Sequence, residues 1–159
     1  VADVVVDNFS QGVTKRLGID HENLKDVNPK IITCSISGFG DTEVNRPAYD
    51  NLIQGYAGAM SITGTDKENP VKSGIPIADL GAGLYAVIGI LSAIQSREKN
   101  DSGEHVDISM LDTQVSLLTY MATMHFLSGE SPEPIGNQHM NHVPFNSYRT
   151  SDGLSLIHI

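Results

Sequence analysis

Apolar and polar positions in the first third of the chain alternate between the periods of strands and of short helices. A continuous β-branched run at residues 4–7 predicts a strand covered on both faces, and a second apolar segment at residues 30–37 predicts the next strand. Residues 14–17 predict a helical turn closed by Gly18, and residues 21–27 predict a second brief helix stopped by Asn-Pro. The first third therefore follows a strand–helix–strand order.

The same alternation continues to about residue 127. The pattern predicts an amphipathic helix at 49–62, a short strand at 75–78, a long helix at 80–98, a strand at 105–108 and a helix at 109–127. A long polar connection then leads to a strand-like end. Strands that alternate with helices are typical of an α/β fold with a mainly parallel sheet. Because the chain opens and closes inside strand-like runs, we expect this sheet to be incomplete at both ends.

Composition and net charge limit the classes of binding partner and the cellular location that we expect for this chain. The formal net charge of −9 argues against nucleic acid or an anionic membrane surface as the main partner. Cys34 is the only cysteine, which predicts a reducing, cytoplasmic location without an intrachain disulfide. The longest uncharged apolar stretch, at 80–94, has 15 residues, fewer than the roughly 20 that a membrane-spanning helix needs. We expect it to form a buried core helix rather than a membrane span.

Candidate chemistry centres on the stretch GIPIADLGAGLYAVIGIL. Gly81, Gly83 and Ala86 fit the dinucleotide fingerprint G-x-G-x-x-[GA]. Pro76 in the preceding strand and the like charge of Asp79 beside a pyrophosphate both argue against that interpretation. From sequence alone, the commonest role for Asp79 is a helix N-cap. A carboxylate held by backbone donors at a strand–helix turn can also be a covalent nucleophile, so both roles stay open.

Three turns that follow predicted strands are expected to line one crevice, because ligands bind at the carboxyl ends of parallel strands. These turns hold Asn8-Phe9, Gly38-Phe39-Gly40 and Asp79. Tyr49 begins the next helix, where it either packs in the core or points its hydroxyl into the crevice. The histidines lack partner acids or thiols at ligand spacing, so a metal site is not expected. Lys15-Arg16 is more often a solvated pair than a phosphate site.

Five blocks carry a resemblance to a known family. The segments ADVVVDNFSQGVTKRLGI, NPKIITCSISGFG, RPAYDNLIQGYAGAMSITG, GIPIADLGAGLYAVIGILSAI and HVDISMLDTQVSLL occur in that order. Together they resemble the class III CoA-transferases, the family of formyl-CoA:oxalate and carnitine CoA-transferases. The likeness covers about residues 2–153, whereas the final LSLIHI does not match the family's continuation.

The resemblance implies a role for each candidate residue. It makes Asp79 the nucleophile that attacks an acyl-CoA thioester and forms an aspartyl-CoA thioester. It places Tyr49 beside the reacting thioester, where the related α-methylacyl-CoA racemases carry a histidine. The other residues with implied roles are the CoA-binding Asn8, Phe9, Arg16 and Leu17, and the substrate-lining Gly38, Phe39, Gly40, Gly81 and Gly83, some of whose backbone N–H groups are expected to stabilise oxyanions.

The resemblance also implies an architecture. Residues 1–130 correspond to the central part of a Rossmann-like large domain, and 131–159 to a linker towards a small domain. The implied substrates are an acyl-CoA and a small carboxylic acid, with coenzyme A as substrate, no metal or redox cofactor, and an interlocked homodimer. The fragment alone is expected to be inactive. Three alternatives remain: a racemase-like isomerase, a non-catalytic CoA- or nucleotide-binding domain and, more distantly, a dehydrogenase half-domain.

Overall fold

The computed structural model describes residues 2–44 and 46–155. In chain order its elements are β1 (Val4–Asp7), α1 (Val13–Leu17), α2 (His21–Val27), β2 (Ile32–Ser37), α3 (Asp50–Tyr56), a 3₁₀ turn (Met60–Ile62), α4 (Ile77–Asn100), β3 (His105–Ser109), α5 (Met110–Ser116), α6 (Tyr120–Ser128), β4 (Tyr148–Thr150) and β5 (Gly153–Ser155). The last four residues of the predicted strand-like end, 156–159, lie outside the described residues.

A parallel sheet in the order β1-β2-β3 organises the fold, which confirms the predicted α/β class. Strand register gives the sheet two different faces. One face carries apolar rungs such as Val6, Cys34 and Val106, and the other carries polar rungs of Asp7, Ser35 and Asp107. β4 and β5 form a separate antiparallel hairpin. The prediction that β1 is covered on both faces is wrong within the described structure, since the Val6 side chain is exposed.

Helix α4 packs through a stripe of small residues. Ala78 and Ala82 are fully buried in a cluster with Phe39, Ile53 and Met110. Farther along the helix, a Cβ on Gly89 would lie 2.6 Å from a methyl carbon of Val106 on β3. The lack of side chains on this stripe lets the helix backbone approach β3 and α5 closely. This packing fixes where the N-terminus of α4 lies relative to the sheet.

Three predicted elements differ from those in the structure: one is absent, and two have other boundaries. The predicted strand at 75–78 is absent, because α4 already begins at Ile77 and Pro76, its N-cap, has no N–H to donate to a ladder. The predicted helix at 109–127 is two helices, interrupted at Thr119, which adopts a φ of 53°. The predicted helix at 49–62 ends at Tyr56, and the 3₁₀ turn follows.

Helix α4, expected from the sequence to be a buried core helix, is buried along one face and exposed along the other in the described structure. The helix has 24 residues, long and apolar enough by length and composition to cross a membrane. A single helix of this kind is weak evidence for a membrane span, since core helices of globular proteins share these properties. Large apolar side chains, with Leu84 68% exposed, lie on its surface: Leu80, Leu84, Val87, Ile88 and Leu91.

We expect a polypeptide of these 159 residues to self-associate when it is produced alone. The exposed side chains of α4 form a contiguous apolar stripe, and such surfaces are typical of interfaces or of aggregation. Light scattering and binding of a hydrophobic dye should both be high, and the double change Leu84→Glu and Leu91→Glu should lower them. A monomeric elution with a sharp cooperative melt for the unchanged polypeptide would contradict this expectation.

Candidate functional site

The loop after β2 is held in place by close packing and by backbone hydrogen bonds. A Cβ on Gly38 would lie 2.2 Å from that of Ala48, so only glycine fits there. The carbonyl of Gly38 accepts a hydrogen bond from the Leu111 N–H at 3.0 Å. Gly40 adopts a φ of 69°, and the next residue, Asp41, donates its N–H to the Asp107 carboxylate at 2.8 Å. The loop therefore has one fixed path along the carboxyl edge of the sheet.

The turn after β1 is tied to the same edge. The side-chain amide of Asn8 donates to the carbonyl of Ile36 on β2 at 2.6 Å. The Phe9 N–H donates to the Asp7 carboxylate at 3.1 Å, which shapes the turn and leaves the Phe9 ring half-exposed. Asn8 and Phe9 therefore lie beside the 38–40 loop, as the sequence predicts.

Asp79 lies in the first turn of α4, so its predicted role as an N-cap is wrong. The N-cap position belongs to Pro76, which has no capping side chain. The carboxylate of Asp50 on α3 accepts the hydrogen bonds instead, from the N–H groups of Ala78 at 2.8 Å and Asp79 at 3.3 Å. The Asp79 carboxylate itself makes no hydrogen bond to the described residues. The Asp79 side chain is exposed and has no hydrogen-bonding or ionic partner among the residues that the structure describes.

Two causes raise the pKa of Asp79 above the ordinary value of an aspartate. Partial burial of the carboxyl is the larger cause, and the negative charge of Asp50 is the second. The sequence predicted that backbone donors hold this carboxylate, but those donors bond to Asp50. A carboxylate with few hydrogen bonds and a raised pKa is a better nucleophile than a fully solvated one.

Asp79 opens into a cleft of about 580 Å³, here called the Asp79 cleft. Its lining residues are Asn8, Ile36, Gly38, Ala48, Tyr49, Asp50, Asn51, Asp79, Ala82, Gly83 and Met110. Tyr49 is 74% exposed, so its ring does not pack in the core. The structure thus brings the candidate nucleophile together with the predicted Asn8, Gly38 and Tyr49.

A second cavity of about 200 Å³, the Phe39 cavity, adjoins the first. The two share Asn8, Gly38, Ala48 and Tyr49 as lining residues. Phe9, Phe39 and Gly40 also line the Phe39 cavity. A groove therefore runs along the carboxyl edge of the sheet, from the β1 turn to Asp79.

Two predicted pairs of residues lie differently from the expectation. The N–H groups of Gly81 and Gly83 lie inside α4, where they donate to backbone carbonyl groups of the same helix. They are therefore not free to act as oxyanion donors. Gly81 packs against α5, and Gly83 lines the Asp79 cleft. Arg16 and Leu17 are exposed on α1 and line neither the Asp79 cleft nor the Phe39 cavity.

Arg46 is a site residue that the sequence analysis missed. Its guanidinium carbon lies 5.1 Å from the ring centre of Phe39 and 4.7 Å from that of Tyr56. Stacking on two aromatic rings fixes the cation at the Phe39 cavity, where it is the only charged side chain among the described lining residues. It can hold an anionic group of a ligand. The sequence offers only its position before Pro47 as a signal.

Metal ligation has no candidate in the part of the chain that the structure describes, where no three histidine, cysteine or acidic side chains are grouped to hold an ion. His139 and His142 contact each other, with their Nδ1 atoms 3.0 Å apart. His21 and His105 each contact the Thr33 hydroxyl, at 2.9 and 2.8 Å. These pairs lie outside the lining of the Asp79 cleft.

Comparison with known proteins shows the family of the chain. The profile of CoA-transferase family III matches residues 1–159, so the chain belongs to that family. A crystal structure of a CaiB/BaiF family protein from Brucella suis is 41% identical and superposes with a TM-score of 0.91, over 98% of this chain and 42% of that one.

Two curated relatives have named activities. The succinate–glutarate CoA-transferase of Agrobacterium fabrum is 37% identical over 98% of this chain and 40% of its own length. The acetyl-CoA:oxalate CoA-transferase of Acetobacter aceti is 37% identical over 95% of this chain and 40% of its own length. The chain thus spans about 40% of the length of these relatives.

Proposed function

We propose that the whole protein to which these residues belong transfers CoA from an acyl-CoA to a small carboxylic acid, with Asp79 as the nucleophile. The observation that carries this proposal is the position of Asp79. It is an unpartnered carboxylate with a raised pKa, and it faces a cleft next to Tyr49 and the glycine loop. Membership of CoA-transferase family III supplies the class of reaction.

In the first half-reaction, a carboxylate oxygen of Asp79 attacks the carbonyl carbon of the donor thioester. The carbon–sulfur bond breaks, and CoA leaves as a thiolate. This gives a mixed anhydride between the donor acyl group and Asp79. The thiolate then attacks the aspartyl carbonyl and releases the donor acid as a carboxylate. An aspartyl-CoA thioester remains on the protein.

The second half-reaction reverses these steps with the acceptor. The acceptor carboxylate attacks the aspartyl thioester, and the thiolate leaves and attacks the acceptor carbonyl of the new anhydride. The products are the acceptor thioester and a free Asp79 carboxylate. Because anhydrides and thioesters are both activated acyl groups, the cycle needs no external energy source, metal or redox cofactor. The 38–40 loop is the remaining candidate for oxyanion stabilisation.

The groove offers CoA a path away from Asp79. A thioester at Asp79 can extend past Tyr49 and Gly38 into the Phe39 cavity, where Arg46 attracts an anionic group. Lys15 lines a further cavity that shares Phe9 and Gly40 with the Phe39 cavity, and Arg16 is its neighbour in the chain. We therefore keep Asn8, Phe9, Arg16 and Leu17 as CoA-binding candidates. The interlocked homodimer and the cytoplasmic location also stay predictions.

Tyr49 favours transfer over racemisation. A phenolic hydroxyl is a far weaker proton acceptor than the imidazole of the histidine that the racemases carry. In deuterated water, we expect the whole protein to leave the α-proton of a 2-methylacyl-CoA in place. Mass spectrometry of the thioester measures this. Deuterium uptake as fast as CoA transfer in the same sample would contradict the choice of transfer.

An exchange assay tests the transferase proposal without knowledge of the acceptor. A ping-pong enzyme exchanges isotope-labelled free acid into the matching acyl-CoA when no second acid is present. We expect such exchange with at least one of succinyl-CoA, acetyl-CoA or formyl-CoA, each paired with its own labelled acid. Hydrolysis without exchange for all three pairs would contradict the proposal.

A further inference from the structure

Helix α4 begins without a cap of its own. Proline at its N-cap has no side-chain acceptor, although the first N–H groups of any helix need partners. Asp50, the first residue of α3, supplies one acceptor for two of them. These are the N–H groups of Ala78 and of Asp79 itself. The backbone of the proposed nucleophile is therefore bonded directly to the side chain of a different helix.

The second carboxylate oxygen of Asp50 also accepts a hydrogen bond. It accepts a hydrogen bond from the side-chain amide of Gln54, at 2.6 Å. The amide oxygen of Gln54 accepts the Ser73 N–H at 2.8 Å, and Gln54 is only 1% exposed. The amide can satisfy both partners in one orientation only, with nitrogen towards Asp50 and oxygen towards Ser73. The buried side chain of Gln54 thus fixes the orientation of the Asp50 carboxylate.

We propose that Asp50 is a positioning residue, which with Gln54 holds the N-terminal turn of α4 so that the Asp79 carboxylate points into the cleft. This inference rests on the proposed function of Asp79. The network joins α3, the 73–76 segment and α4 through four hydrogen bonds. A nucleophile displaced by about 1 Å can lose 10²-fold in rate, so the placement of this turn bears directly on catalysis.

The charge of Asp50 has a second effect on Asp79. It is the second cause, after burial, of the raised pKa of Asp79. Tyr49, Asp50 and Asp79 are the titratable groups in the described lining of the Asp79 cleft. Removal of the Asp50 charge therefore lowers the pKa of Asp79, because ionisation no longer adds a second negative charge nearby.

The variant Asp50→Asn keeps the size of the side chain but removes its charge and one of its two acceptor oxygens. One amide oxygen can still accept from Ala78, but the new NH₂ group faces the NH₂ group of Gln54, and two donors cannot bond to each other. In the whole protein, with the acyl-CoA and labelled acid that exchange fastest in the unchanged protein, we expect the exchange rate constant to fall about 10²-fold, with little change in KM. We also expect the acidic limb of the pH profile to move to lower pH.

Two further variants sharpen the test. Gln54→Met removes the support of Asp50 while keeping a buried side chain of similar volume, and a smaller loss of rate is expected. Asp112→Asn is the matched control, because Asp112 is an exposed acid in the first turn of α5 and does not line the Asp79 cleft. We expect this control to leave the rate and the pH profile unchanged.

Hydrogen exchange of the backbone gives a readout that does not depend on activity. In Asp50→Asn, the peptide that contains Ala78 and Asp79 should exchange faster, while peptides from the sheet keep their protection. Faster exchange at this turn without any transferase activity in the unchanged protein would contradict the proposed function but not the contact. Unchanged amide exchange, or an unchanged rate and pH profile in a folded Asp50→Asn protein, would overturn the positioning role.

Discussion

Replacement of Asp79 by asparagine is expected to lower CoA exchange by at least about 10³-fold in the whole protein. An amide oxygen is a much weaker nucleophile than a carboxylate, and an acyl-amide adduct does not regenerate the free side chain. The labelled-acid exchange assay, run with an acyl-CoA that the unchanged protein exchanges, measures the loss. Among the described lining residues of the Asp79 cleft, Asp50 is the other carboxylate, and its two oxygens are occupied by α4 and Gln54.

Folding should be nearly unaffected by Asp79→Asn, which makes the loss of activity interpretable. The Asp79 carboxylate has no hydrogen bond to the described residues, and Asp50 supplies the cap of α4. We expect the melting temperature and the affinity for free CoA to stay close to those of the unchanged protein. Retention of exchange within about tenfold of the unchanged protein would remove Asp79 from the reaction.

The second large effect is expected on stability, for Gly103→Ala. A Cβ at this position would lie 1.8 Å from the carbonyl oxygen of Ile31 and 2.7 Å from the carbonyl carbon of Lys30. Both are backbone atoms at the start of β2, and the Gly103 N–H donates to the neighbouring Pro29 carbonyl. Relief of this overlap has to displace β2, which should lower the free energy of unfolding by about 3 kcal/mol.

Denaturant unfolding of the whole protein measures this change. Gly74→Ala is the matched control, since a Cβ on Gly74 meets no atom within 4 Å and its φ is not in the left-handed region. We expect Gly74→Ala to change the free energy of unfolding by less than about 1 kcal/mol. An equal, small effect for both substitutions would show that β2 does not depend on the close approach of Gly103.

The parallel sheet could be predicted from sequence because its signals are local. β-branched runs and strand–helix alternation are visible within short windows, and the three strands of the described parallel sheet formed where the pattern indicates. The stretch Ile75-Pro76-Ile77 shows the limit of this method. Its apolar pattern matches a strand, but Pro76 cannot join a ladder and serves as the N-cap of α4 instead.

The site was predictable only in part, for a similar reason. Asn8, Gly38 and Tyr49 follow strands or begin a helix, so topology alone brings them to one edge. Asp50 and Gln54 act through bonds to residues 19 to 29 positions away, and no local pattern indicates such contacts. From sequence alone, the commonest role for Asp79 is the cap of α4, whereas the capping carboxylate comes from Asp50 on α3.

The burial of α4 could be predicted only in part. Its apolar composition predicts a buried core helix, and the described structure buries its small-residue stripe but leaves its large apolar side chains exposed. Because Gly81, Ala82 and Ala86 face inward, the large side chains of the helix have to face outward. A count of apolar residues cannot show this division, whereas the periodicity of small and large residues can.

Peptide mass spectrometry of the whole protein after brief incubation with an acyl-CoA tests the central claim most directly. The protein should gain the mass of CoA less one water, and the modified peptide should be the one that contains Asp79. The modification should be absent from Asp79→Asn and present in Asp112→Asn. No CoA adduct in a protein that exchanges acid into acyl-CoA, or an adduct on another residue, would contradict the account.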